Sequence, residues 1–462
     1  MEPSQSAPVL VTDDALSTPE GKKSFRTATL SSWLGTTMEY VDFALYGLAT
    51  ALVFNTLFFP ESSPTIALLA SFSTYAVGFF ARPVGAWFFG RIGDRHGRKA
   101  VMVITIALMG GATTLIGLLP TYDQAGALAP ILLLILRVLQ GFGAGAELSG
   151  AAIVLTEFAP FKRRGLVASI VALGSNSGTL LASTAWLLVV QLPKEDLTSW
   201  GWRIPFLASI LIAGFALVLR RTMKETPVFT KQREQIAART EAIRAVDTRS
   251  FWRRNRAFFV MLGLRIGENG PSYMAQGFLI GYVATVLMVD KSVPTAAVLI
   301  ASLIGFAVIP FAGWLSDRFG RRITYRWFCI LLVAYAFPAF ALIQSRNTAV
   351  VMAIIIVGMS IASLGIFGVQ AAYGVELFGA RNRFTKMALA KEIGSILSGG
   401  TAPAVAAGLL AAFGAWWPLA LYWVVMAAIG LFTTFKAPET RGRDLNLIHD
   451  ATDDAEARMG TV

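Results

Sequence analysis

Gly90-Arg-Ile-Gly-Asp94-Arg95-His-Gly97-Arg98-Lys99 and Gly313-Trp-Leu-Ser-Asp317-Arg318-Phe-Gly320-Arg321-Arg322 are one pattern written twice. Each copy follows a long apolar run. Each offers glycines for tight backbone turns and an aspartate that can pair with a nearby arginine or cap the next helix. A motif that recurs at the same place relative to its flanking apolar segments marks a duplicated unit. A second echo agrees with it. Glu157 closes an apolar run just before Lys162, Arg163 and Arg164, and Glu376 closes another just before Arg381 and Arg383.

Outward from these motifs the chain is apolar throughout. Of 462 residues 55% are hydrophobic and 15% charged, and the mean hydropathy is +0.60. A water-soluble chain carries about 25% charged residues, and a disordered one cannot hold so many aromatic and aliphatic groups. A bilayer-crossing helix needs about 20 largely apolar residues. The runs that qualify are 29–57, 65–90, 100–119, 128–157, 165–191, 203–221, 257–287, 295–316, 323–344, 348–377, 384–412 and 416–436. The expected fold is therefore an all-α membrane protein with twelve transmembrane helices in two six-helix pseudo-repeats. Residues 1–26 form an N-terminal tail, 27–221 the first bundle, 222–256 a linker, 257–436 the second bundle and 437–462 a C-terminal tail.

Charge sets the orientation. Arg91/Arg95/Arg98/Lys99, Lys162/Arg163/Arg164, Arg318/Arg321/Arg322/Arg326 and Arg381/Arg383/Lys386 alternate with connections almost free of basic residues, such as 60–64 and 120–128. By the positive-inside rule the clusters and both termini face the cytoplasm. Residues 1–26 are polar, with Pro3, Pro8 and Pro19, and lack the apolar core of a signal peptide, so the first span is expected to stay as an anchor. The linker carries Arg233, Arg239, Arg244, Arg249, Arg253, Arg254 and Arg256. A surface helix on anionic lipid and a solvated connection fit it equally well.

The same composition excludes other functions. A net charge of +12 is dispersed in short clusters instead of forming a patch, which argues against nucleic acid. Cys329 is the single cysteine, and His96 and His449 are the only histidines and lie outside the spans. No disulfide, metal centre or nucleophile–base pair is available, so no catalytic residues, metal or cofactor are expected. A Gly-x-x-x-x-Gly-Lys-Ser/Thr loop is also missing, so ATP is not the expected energy source.

The duplicated loop resembles the marker motif of the major facilitator superfamily. Within it the chain is similar to the metabolite:proton symporter family, through Gly35-Thr-Thr-Met-Glu39-Tyr-Val-Asp42-Phe43, Ala81-Arg82-Pro83-Val-Gly85, Arg137-Val-Leu-Gln140-Gly141 through Glu147, Trp200-Gly-Trp202-Arg203-Ile-Pro205-Phe206 and Glu225-Thr-Pro227. In texture it resembles the bacterial shikimate transporters, by Ala51-Leu-Val-Phe-Asn55 with Phe58-Phe59-Pro60 and by the spacing of Arg265, Glu268 and Tyr273. It departs from that pattern at Gly145-Ala146-Glu147-Leu148-Ser149 and at Lys391-Glu392. The resemblance implies a monomeric multi-pass carrier of the bacterial inner membrane. Its partners would be the bilayer, a small organic acid and the proton as coupling ion. Dicarboxylate or osmolyte symport and passive facilitation remain open alternatives. Osmosensing relatives tend to have a long C-terminal coiled coil, and the 26 residues after Lys436 have no heptads. Drug antiport would favour a proline in Gly174-Ser-Asn-Ser-Gly178, which has none.

Charged residues inside a span cost about 2.5–3.5 kcal/mol each on insertion scales, so they face a cavity or a partner charge. Glu39, Asp42 and Tyr46 share one face of span one, and Arg137, Gln140, Ala144 and Glu147 share one face of span four. The resemblance implies that Asp42 with Arg137 couples transport to protons, with Glu39 or Glu147 as alternative carriers. A permanent packing pair is the competing reading. Span seven offers Arg265, Glu268, Ser272 and Gln276 on one side with Asn269 and Tyr273 at its margin, donors suited to a carboxylate and hydroxyls. Arg265 and Glu268 could instead satisfy each other or pair with Lys391 and Glu392. Tyr373 and Gln370 in span ten are further candidates. Family likeness makes Gly90, Asp94, Arg95, Gly97, Arg98, Glu157, Gly313, Asp317, Arg318, Gly320, Arg321 and Glu376 a cytoplasmic gate. Gly141/Gly145 and Gly174/Gly178 read as sites of close helix packing.

Overall fold

The computed structural model describes residues 18–60, 64–226, 228–230, 251–290 and 292–454. Among them twelve long helices follow in chain order. These are α1 (Pro19–Ala49), α2 (Pro64–His96), α3 (Arg98–Gly117), α4 (Leu128–Phe158), α5 (Arg164–Val189) and α6 (Arg203–Thr222), then α7 (Arg256–Tyr273), α8 (Ser292–Phe319), α9 (Arg321–Ile343), α10 (Thr348–Met359 with Ile366–Leu377), α11 (Arg383–Ser395 with Ala402–Phe413) and α12 (Trp417–Lys436). Helices are what lipid allows, because a backbone in hydrocarbon must satisfy its own hydrogen bonds. Large apolar side chains such as Leu211 and Phe432 stand on the outside, where lipid would lie.

Wide π-type turns extend or interrupt α1 at Thr50–Phe54, α7 at Met274–Phe278 and again at Tyr282–Val286, α10 at Ser360–Gly365, and α11 at Ile396–Gly400, and another, Leu197–Gly201, leads into α6. Such turns concentrate at functional sites. The glycine pairs of α4 and α5 do what their spacing predicts. A methyl on Gly174 would stand 2.6 Å from the Trp33 carbonyl oxygen, and one on Gly178 would meet Thr37. Gly141 and Gly145 likewise lie against the backbone of α2 at Gly78 and Arg82. At the end away from the basic clusters, Phe54 packs 5.8 Å from Trp202 and from Phe206, and Phe58 lies 5.9 Å from Trp202. Arg203 ties this plug to the end of α3 by donating to the carbonyls of Gly117 (2.9 Å) and Leu119 (2.5 Å).

Two boundaries differ from the hydropathy reading. Helix α1 starts at Pro19, well before its apolar run. Thr18 caps it by accepting the Gly21 N–H at 3.1 Å, and Pro19 brings a φ already suited to the first turn. The C-terminal tail is not loose as far as residue 454. Ala380 N–H donates to the Leu447 carbonyl (2.7 Å), Gly379 N–H to Asp450 (3.0 Å), and Arg383 to the Leu445 carbonyl (2.6 Å). The surface helix considered for the linker falls largely on residues 231–250, outside the described residues.

Candidate functional site

The duplicated motifs close one end of the molecule, the basic end. The Asp94 carboxylate accepts the N–H groups of Phe384 (3.1 Å) and Thr385 (3.0 Å) at the start of α11. Asp317 accepts those of Gly165 and Leu166 (both 2.8 Å) at the start of α5. Each aspartate thus caps a helix of the opposite bundle, not the next helix as its spacing suggested. A carboxylate there meets both orphan donors and the positive end of the helix dipole. The next helices are capped from further away. Glu225 accepts Arg98 N–H (3.1 Å) at α3, and Glu439 accepts Arg321 N–H (2.8 Å) at α9. The Glu225 and Glu439 segments are themselves an echo, Glu225-Thr-Pro after α6 and Pro438-Glu439-Thr440 after α12, of which the sequence reading used only the first.

Gly97 and Gly320 hold φ of 106° and 102°, a region that disfavours any side chain, and a methyl there would strike Glu225 or Glu439. Gly90 and Gly313 do not turn. They lie inside helices where the bundles cross, with a methyl on Gly90 only 2.7 Å from the Thr385 Cα. Glu157 pairs with Arg383 of the other bundle at 2.8 Å and lies 3.7 Å from Arg98. Glu376 pairs with Arg321 at 3.0 Å, and Arg321 reaches Asp317 at 2.7 Å. Arg95 and Arg318 are exposed, and Arg318 lies 5.6 Å from the Trp314 ring. The inward arginines of each motif, Arg98 and Arg321, carry the contacts instead.

The mid-membrane residues form three groups. In the first bundle Asp42 is fully buried, neither carboxylate oxygen is in hydrogen-bonding geometry, and it faces Thr113, Gln140 and Arg137. Arg137 donates to Gln140, Gln140 donates to Thr113 (2.6 Å), and the guanidinium lies 4.3 Å from the Tyr46 ring and 5.0 Å from Phe43. Gly78 makes room for it, since a methyl there would stand 2.7 Å from Arg137 Nε. Tyr46 shares a 2.7 Å hydrogen bond with Thr74. Glu147 is engaged elsewhere. Both of its oxygens take the Arg220 guanidinium, and one also accepts Thr105 at 2.8 Å.

In the second bundle Arg265 donates to Glu268 (2.6 Å), Gln370 (2.9 Å) and Ser395 (2.9 Å), and Ser272 donates to Glu268 (3.1 Å). Asn269 reaches the Ser395 carbonyl at 3.4 Å. Between the bundles, Arg82 lies 2.5 Å from Glu39 and 2.7 Å from Glu392, while Lys391 stands 3.4 Å from Glu392. Phe79 and Tyr273 meet there as well, ring centroids 6.2 Å apart. One candidate lies elsewhere: the Tyr373 hydroxyl donates to the Pro438 carbonyl (2.9 Å), which places it with the basic end, while Gln276 is exposed.

Thr113, Gly78, Arg82 and Arg220 were not singled out as site residues by spacing. A lone threonine or glycine in an apolar run gives no signal. Arg220 could have been found, because a basic residue in the last turn of α6 reads as an interfacial charge until Glu147 requires a partner.

The major facilitator superfamily profile matches residues 32–403. A putative transporter of Escherichia coli, YdfJ, is 44% identical over 420 residues, covering 90% of this chain and 97% of the relative. The shikimate transporter of Escherichia coli is 35% identical over 418 residues, covering 90% and 95%. The solved proton:xylose symporter XylE of E. coli superposes with a TM-score of 0.72 at 17% identity, covering 93% of this chain and 99% of that one. With twelve helices in two pseudo-repeats, the chain belongs to the major facilitator superfamily of membrane transporters.

Proposed function

We propose that the chain is a proton-coupled symporter of a small organic monocarboxylate, with its basic end in the cytoplasm and Asp42 as the proton carrier. One observation carries this reading. Among the described residues the mid-membrane carboxylates are Glu39, Asp42, Glu147, Glu268 and Glu392, and all but Asp42 are in an ion pair. A partner cation favours the charged form of a carboxylate, whereas one without a cation in contact cycles more readily between charged and neutral states.

Charge balance extends the argument to the substrate. Among the described residues the mid-membrane cations are Arg82, Arg137, Arg220, Arg265 and Lys391, matching the five carboxylates when Asp42 is ionised. A proton on Asp42 leaves one net positive charge in a medium where net charge is costly. A substrate with one carboxylate restores neutrality. Proton and monoanion therefore favour each other's binding, which is the thermodynamic content of symport. Dicarboxylates would leave a negative excess and zwitterions a positive one. The amides, hydroxyls and arginine around Arg265, with the Phe79–Tyr273 contact, suit a hydroxylated ring acid. Likeness to the shikimate transporter supports the same choice.

The test is uptake of labelled shikimate into proteoliposomes, with oxoglutarate, benzoate and betaine as competitors. One proton with one monoanion is electroneutral. A pH gradient should drive accumulation that a protonophore collapses, and a potassium diffusion potential alone should not. Uptake driven by potential, or equal counterflow with no gradient-driven accumulation, would contradict the proposal.

A further inference from the structure

The two bundles meet along two seams related by the internal repeat. In the seam between α5 and α8, the contact at the basic end is Asp317 with the start of α5, and the contact at mid-membrane is Asn176 Nδ2 donating to the Ser302 carbonyl at 2.6 Å. In the seam between α2 and α11, the contact at the basic end is Asp94 with the start of α11, and the contact at mid-membrane is Arg82 with Glu392 at 2.7 Å. The neutral hydrogen bond of one seam stands about one helical turn farther from the basic end than the buried ion pair of the other. The seams are equivalent by the repeat and unlike in chemistry.

We propose that Arg82 is a positioning residue of the transport cycle, a clasp that joins the bundles while the basic end is closed and opens without taking up a proton. The argument is one of partners. Arg82 is held by Glu39 of its own bundle at 2.5 Å as well as by Glu392 of the other. Glu392 has Lys391 beside it at 3.4 Å, and the Lys391 ammonium has no hydrogen-bond partner among the described residues. When the seam parts, Arg82 stays with Glu39 and Glu392 turns fully to Lys391. Each bundle then keeps one cation and one anion, so opening strands no buried charge, which is otherwise the main obstacle to breaking such a pair.

The other ionisable groups around the clasp do not alter this balance. Glu39 also faces Glu147, which Arg220 neutralises, and Glu392 also faces Arg265, which Glu268 neutralises. The neutral phenols Tyr40 and Tyr273 complete the surroundings of Arg82. The clasp thus favours one conformation by geometry, while proton uptake is left to Asp42. This division rests on the transport reading above for its proton half only.

The test uses full-length protein in nanodiscs with Cys329→Ser and spin labels on the exposed positions His96 and Arg381, one at the basic end of each bundle. Lys391→Met with Glu392→Gln removes the inter-bundle arm and leaves the second bundle neutral, so folding is not burdened by a stranded charge. The expected result is a second, longer distance whose population rises about tenfold over the parent, roughly 1.4 kcal/mol, at pH 6 and pH 8 alike. The same rise should occur in an Asp42→Asn background. An unchanged distance distribution would overturn the proposal and assign the cluster to packing. A rise that is present at one pH and absent at the other, or is lost with Asp42→Asn, would overturn the proton independence. Neither result would by itself alter the assignment of Asp42, which is read from gradient-driven uptake.

Discussion

Glu147 was a proton-carrier candidate from its place on α4, and its geometry makes a quantitative prediction against that role. Glu147 and Arg220 are both fully buried, the two guanidinium nitrogens meet both carboxylate oxygens, and Thr105 donates to one of them. Glu147→Gln removes the counter-charge and points an amide donor at a guanidinium that has only donors. Removing one partner of a buried pair costs about 3–5 kcal/mol, whereas replacing both with apolar groups of similar volume is close to neutral. The apparent melting temperature in detergent should therefore fall by many degrees for Glu147→Gln or Arg220→Met and recover in Glu147→Leu with Arg220→Met. The recovered double variant should still accumulate substrate on a proton gradient. If Glu147→Gln melts like the parent but loses gradient-driven accumulation, Glu147 carries the proton and the reasoning from pairing fails.

Further perturbations address other parts of the structure. Asp317→Asn keeps one acceptor for the two N–H groups of α5 and loses the charge, about 1.5–3 kcal/mol. Label distances across the basic end should shift strongly toward the open state, and an unchanged distribution would remove Asp317 from the gate. Gly320→Ala forces a side chain to a φ of 102° against Glu439 and should cost about 1–3 kcal/mol, read as a lower melting temperature. Arg265→Lys loses the planar fork that reaches Glu268, Gln370 and Ser395. KM should rise about tenfold with the protonophore sensitivity of uptake intact, and an unchanged KM would place the substrate elsewhere.

The fold was legible because its signals are long and repeated. Twelve apolar runs, and one motif in two copies, leave few other architectures. The site was legible in its ingredients and not in its pairings. A helical face can show that Glu39 and Asp42 point one way, but Arg82 comes from another helix and Glu392 from the other bundle, and no local spacing encodes that meeting. Asp94 shows the same limit. Its spacing from α3 suggested a cap for the next helix, whereas the crossing of α2 with α11 at Gly90 brings Phe384 and Thr385 to it first. Gly78 is legible only once Arg137 is seen to lie over it. Polar groups in a membrane are few, so each is noticed in the sequence, and their partners are decided by packing between distant segments.

The central claim is that Asp42 alone couples protons to transport. The most direct measurement compares Asp42→Asn with the parent in the same proteoliposomes, by accumulation under an inward pH gradient and by counterflow at equal pH. The account predicts that accumulation is abolished while counterflow persists, because a permanently neutral residue 42 keeps the substrate's favourable charge balance and loses only the proton that must be released. Gradient-driven accumulation that survives in Asp42→Asn would contradict the account and return the proton to one of the paired carboxylates.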